Sequence, residues 1–255
     1  MVRIASGIEQ PRQRKEAGAV RFAALILGMI TLANGTARAD RRHFVWTYDA
    51  QTLERGESEI ETYTTFSAAD RSHTRNATST TLQFELETGM TPQMDFSVYQ
   101  VFAQDAGEPM RYEGYKLRMR HRLTAPDRRP FAAVAYAEYE GRPDFSTSAV
   151  ETKLILGRGI GDFRLAVNGI LELVPEAGEW EVEPAYAAGA AWQASELLSL
   201  GLEAKGGEEA TSIGPVIGHG LGDLWVAFGS ALRLDEGERG KKGLETRLIL
   251  GVKVR

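Results

Sequence analysis

The chain of 255 residues contains no cysteine, which excludes disulfides, thiolate metal centres and cysteine nucleophiles. Histidine is nearly as scarce: four residues, His43, His73, His121 and His219, are the only imidazoles available as ligands or general bases. Beyond residue 40 no apolar run approaches the ~20 residues of a spanning helix, and no stretch of a dozen residues keeps a 3.6-residue apolar period, so a helical membrane protein is excluded. Positive charge is also in short supply. Six basic and two acidic residues lie within 1-39, leaving 24 basic against 33 acidic residues and a formal charge of −9 over 40-255, a poor balance for a nucleic-acid binder.

What is present begins with a leader pattern. A basic stretch ending at Arg21 precedes the apolar run Phe22 to Ala33, and Ala37-Arg38-Ala39 puts small residues at both cleavage-determining positions. Residues 1-39 are therefore expected to be a signal peptide cut after Ala39. Residues 40-56, with Phe44, Trp46 and Tyr48, are expected to form a short periplasmic extension; a plug entering the fold is the alternative. One domain, residues 57-255, follows.

That domain repeats one unit: about ten residues of alternating apolar and polar character, a short turn, another such strand, then a longer polar loop. Twelve strands are predicted, at about 57-68, 78-88, 93-104, 112-124, 130-140, 147-157, 162-174, 179-193, 198-206, 212-220, 223-234 and 244-255. Connections such as Gly157 to Gly161 and Leu221-Gly222 are tight, whereas 69-77, 104-111 and 235-243 are longer and polar. In the second strand Leu82, Phe84 and Leu86 alternate with Gln83, Glu85 and Glu87. A soluble barrel shares that period but packs its apolar face inward. The dense charge on one face, the few charges on the other, and Trp180 and Trp192 near the two ends of one strand favour the membrane arrangement, with Trp225 and Tyr115 as girdle or interior aromatics.

These features resemble the outer-membrane barrels of Gram-negative bacteria over nearly all of residues 57-255. The resemblance implies an all-β, transmembrane, up-and-down antiparallel β-barrel of about twelve strands, monomeric, exported through the periplasm into the cell outer membrane. Its partners would be outer-membrane lipid and the barrel assembly machinery. The terminal Gly251-Val252-Lys253-Val254 is similar to the assembly signal of such barrels but ends in Arg255 rather than an aromatic residue.

The charged faces supply the candidate functional residues. Lys116, Arg118, Arg120 and Arg122 form a basic ladder that would line the lumen, where it either attracts anionic solutes or pairs with carboxylates of neighbouring strands. The turn after it brings Lys116 near Glu138, and Lys153 extends the set. Glu57, Glu59, Glu61, Glu85 and Glu87 form an acidic counterpart. Barrel closure would place Lys253 and Arg255 beside Glu57 and Glu59, and Arg247 shares the last strand's charged face. The implied function is a passive channel or transport protein for small polar or charged solutes through a mixed-charge lumen. A closed-lumen barrel that acts through its extracellular loops is the alternative. A lipid-modifying enzyme is the remoter one, because no histidine has a hydroxyl residue two positions after it. Gly157-Arg-Gly-Ile-Gly161 reads as a turn rather than a phosphate loop, and no calcium-loop or histidine–carboxylate pattern calls for a cofactor.

Overall fold

The computed structural model describes residues 42–70, 74, 77–125, 130–176, 178–208, 210–234 and 243–254. The proposed cleavage site, His73 and Arg255 lie outside these residues. Twelve strands form one closed antiparallel barrel: β1 (Ser58–Ala68), β2 (Thr78–Thr91), β3 (Met94–Gln104), β4 (Arg111–Arg122), β5 (Ala132–Gly141), β6 (Thr147–Ile160), β7 (Phe163–Glu176), β8 (Glu179–Gln193), β9 (Leu198–Gly207), β10 (Thr211–Leu221), β11 (Leu224–Arg233) and β12 (Leu244–Val254). Each strand pairs with its sequence neighbours. β12 closes on β1 through eleven paired positions, from Ser58 opposite Val254 to Ala68 opposite Leu244. Closure removes both sheet edges, the condition for a sheet to cross a membrane.

The alternation of side chains sets which face is which. On β1, Glu59, Glu61, Tyr63 and Thr65 are buried inside, while Ile60 and Phe66 stand 46% and 45% exposed outside. On β2 the same holds for Glu85 and Glu87 against Phe84 and Leu86. An apolar outside around a charged inside is the inverse of a soluble barrel, and only lipid makes it favourable, since water would leave that belt unburied. Trp180 and Trp192 stand half exposed on the outer face of β8, towards its two ends. Trp225 takes the interior role: it is 1% exposed and donates its indole N–H to Glu59.

One set of turns is tighter than the sequence suggests. β6 runs through Gly157 to Ile160, and the hairpin turn is Gly161-Asp162, with Gly161 at φ 57°. Gly222-Asp223 makes the same two-residue link between β10 and β11, with Gly222 at φ 65°. Both begin with the positive φ that favours glycine in short hairpins. Gly157 itself is not in the turn. It lines the lumen, where an added Cβ would come within 2.9 Å of the Ala50 Cβ.

Candidate functional site

The lumen has two storeys, divided by the segment that precedes β1. Residues 42-53 do not extend away from the barrel, as expected of a periplasmic extension; they lie within it, with Phe44, Val45, Ala50 and Leu53 all under 5% exposed. The reason is that the wall offers this segment both apolar recesses and hydrogen-bond partners. The Phe44 ring occupies the space in front of Gly189, and Val45 fills that in front of Gly229; a Cβ on either glycine would stand about 2.5 Å from the segment's side chain. Glu203 of β9 is flanked in register by Gly189 and Gly214, so its carboxylate sits in a recess. There it accepts backbone N–H bonds from Val45 (2.8 Å), Trp46 (2.9 Å) and Thr47 (2.8 Å).

Two further anchors fix the segment's direction. Asn168 of β7 accepts the Tyr48 N–H at 2.6 Å and donates to the Tyr48 carbonyl at 2.9 Å, imitating a strand partner. Asp95 of β3 accepts the Leu53 N–H at 3.1 Å. The backbone polar groups of a non-strand segment are thereby satisfied by strand side chains, as burial requires. His43 joins this layer through Asp49 (3.0 Å) and Gln193 (3.3 Å).

Beneath and beside the segment the two predicted ladders meet. The Arg118 side chain is wholly buried and pairs with Glu85 at 2.7 Å and Glu87 at 2.5 Å, donating also to Ser97 (2.6 Å) and Tyr99. Arg120 contacts Asp95 at 2.7 Å and Glu87. Arg42, from the segment, reaches Glu61 at 3.4 Å and lies 4.7 Å from the Tyr48 ring centroid. Carboxylate atoms of Glu61, Glu85 and Glu87 lie within 4.8 Å of one another, but these guanidinium groups already supply their countercharge.

Of the two readings of the ladder, solute contact or pairing with neighbouring carboxylates, the geometry of Arg118, Arg120, Glu59, Glu61, Glu85 and Glu87 follows pairing. All six are under 9% exposed, because the segment covers them and they pair internally. Arg122, whose guanidinium binds the Pro92 carbonyl, belongs to the short-turn rim. So do Glu57 and Lys253, which approach to 3.6 Å and form the charge-ordered part of the β1–β12 seam.

Above the segment, on the side of the longer loops, a cavity of about 700 Å³ remains. Trp46 and Tyr48 form its floor, and four predicted residues reach it: Lys116, Glu138, Lys153 and Arg247. Lys116 bridges Glu138 (3.1 Å) and Glu140. Lys153 pairs with Glu151 at 2.9 Å and lies 4.7 and 4.4 Å from the Tyr48 and Tyr136 rings. Arg247 donates to Thr65 (2.9 Å) and to the Val45 carbonyl (3.1 Å). On the other side of the segment, the cavity among Arg42, Asp49, Glu59 and Trp225 is only about 50 Å³, room for a few waters.

Sequence reasoning missed Glu203, Asn168 and the lumen-facing Gly157, Gly189 and Gly229. Their legible signal was a carboxylate and an amide on the charged face with no opposite charge on the neighbouring strands, beside glycines that leave the wall hollow.

No protein-family model matches the chain, and comparison with curated proteins finds no significant relative. Solved structures do resemble it. An outer membrane channel from Pseudomonas putida F1 superposes with a TM-score of 0.58 at 12% identity, covering 83% of this chain and 100% of that one. The NanC porin superposes with a TM-score of 0.53 at 7% identity, covering 77% and 99% respectively. At these identities the likeness establishes the fold: a closed barrel of the outer-membrane type.

Proposed function

We propose that the protein is an outer-membrane channel for small polar or charged solutes, in which the N-terminal segment sets the width of the path. The observation that carries this is the two-storey lumen: a charged, solvent-sized vestibule on the long-loop side, floored by Trp46 and Tyr48 of a segment that is held by side-chain anchors rather than built into the sheet. A wall of mixed charge suits hydrated solutes, because most of its ions are paired across strands and balance one another. The structural neighbours whose names describe a channel and a porin favour the same reading. The chain would reach the outer membrane through the periplasm after cleavage at Ala39 and act there as a monomer, not as an enzyme.

Planar-bilayer recording of the full chain and of a variant lacking residues 42-53 tests this. The full chain is expected to give small conductance steps, and the variant larger ones. If both proteins fold and neither carries ion current, the channel reading fails. The 50 Å³ residue of space in the lower storey favours one competing reading, a barrel that binds solutes in the vestibule without passing them. Binding without current in the full chain would select it.

A further inference from the structure

The vestibule wall is divided by charge. Around β5 to β8, direct register pairs set Glu138 opposite Glu151, Glu151 opposite Glu172, and Glu172 opposite Glu183, a row of four carboxylates on successive strands. Like charges placed directly opposite destabilise a sheet unless something neutralises them. Lys116 and Lys153 serve Glu138 and Glu151. Among the described residues no cation pairs with Glu172, which faces the cavity, or with Glu183 beyond it.

The far wall carries one cation without a carboxylate partner. Arg247 of β12 lines the same cavity and binds a hydroxyl and a carbonyl but, among the described residues, no carboxylate. Beside it Lys205 is paired with Glu245, a carboxylate that also lines the cavity. β7 and β12 lie five strands apart on a ring of twelve, so Glu172 and Arg247 face one another across the space. A volume of about 700 Å³ corresponds to a sphere about 11 Å across, within the usual range of small-ligand sites.

We infer that the vestibule is a binding site for a small zwitterion, a molecule carrying an ammonium at one end and a carboxylate at the other, with the ammonium at Glu172, beside Glu151, and the carboxylate at Arg247. Such a ligand supplies a partner to Glu172 and to Arg247 at once. A simple anion or cation neutralises one and is repelled by the other. The inference rests on the vestibule being open to solvent, as in the proposed function, but not on conduction.

The test uses the full chain folded in detergent, titrated calorimetrically with 6-aminohexanoate and, as single-charge controls, hexanoate and hexylammonium. The zwitterion is expected to bind at least about tenfold more tightly than either control, since each end adds a charge-assisted hydrogen bond. Glu172→Gln should remove its advantage over hexanoate, and Arg247→Gln its advantage over hexylammonium. Should Glu172→Gln fold poorly, Glu151→Gln weakens the same carboxylate pair. Equal binding of the zwitterion and one control, or no binding to a folded barrel at millimolar concentration, overturns the inference. Absence of current in bilayers alongside selective binding would refute only the channel.

Discussion

Truncating Glu203 to alanine should unseat the N-terminal segment and leave the barrel intact. The carboxylate accepts three backbone N–H groups, of which those of Val45 and Thr47 are buried and that of Trp46 partly so. No cation pairs with Glu203 among the described residues, so these three bonds are its main compensation for burial. A buried donor left without a partner costs about 1–3 kcal/mol, and the side chain's removal also relieves a desolvated charge, so the net loss should be about 3–6 kcal/mol. At 1.4 kcal/mol per tenfold, the detached population rises about 10²- to 10⁴-fold. Phe44, Val45 and Leu53 remain to hold the segment through burial worth about 1.5–3 kcal/mol each, so it should be released transiently rather than permanently. Amide hydrogen exchange on a peptide spanning 42-53 reads this population directly. Protection there should fall by the same factor while that of β1 and β12 is unchanged. Unaltered protection would show that Glu203 is not the anchor. Loss of protection throughout the barrel would show that the segment is part of the barrel's own stability and cannot act as a separable constriction.

Two other predictions concern the barrel itself. Arg118→Ala leaves Glu85 without its buried cation, while Glu87 keeps Arg120, and should cost about 3–5 kcal/mol in urea unfolding from detergent, with part recovered by adding Glu85→Gln; a loss under about 1 kcal/mol contradicts the pairing. Lys253→Gln should cost no more than about 1 kcal/mol, because its contact with Glu57 is long and half exposed while eleven backbone-paired positions close the seam; a large fall in the heat resistance of the folded barrel would show that charge order, and not the ladder, closes it.

The strands were legible because their signal is local. Alternation along Leu82 to Glu87 or Leu244 to Val254 fixes which side chains share a face whatever lies across the barrel, and the turns bound each repeat. Register followed from the turns to within two residues: Lys116 stands directly opposite Glu140 and still reaches Glu138, the partner expected, and the β1–β12 seam was within reach as well. The exception was Gly157, taken for a turn residue. Glycine has one appearance in sequence and two causes here: a positive φ at Gly161 and a close approach at Gly157.

The course of residues 42-53 was decided only by the tertiary structure. Phe44, Trp46 and Tyr48 give an alternation compatible with an exposed extension as well as a buried one, and the contacts that choose between them lie at Asp95, Asn168 and Glu203, on three separate strands. Closure of the barrel brings those residues to one surface, and no local pattern records their convergence. The charges divide in the same way. By itself the sequence determined that a charged face would line the lumen, because alternation is a property of each strand. Which charges are spent on one another and which remain facing solvent depended on where the segment lies, since it covers Arg118 and Glu87 and leaves Glu172 and Arg247 at the edge of the open space.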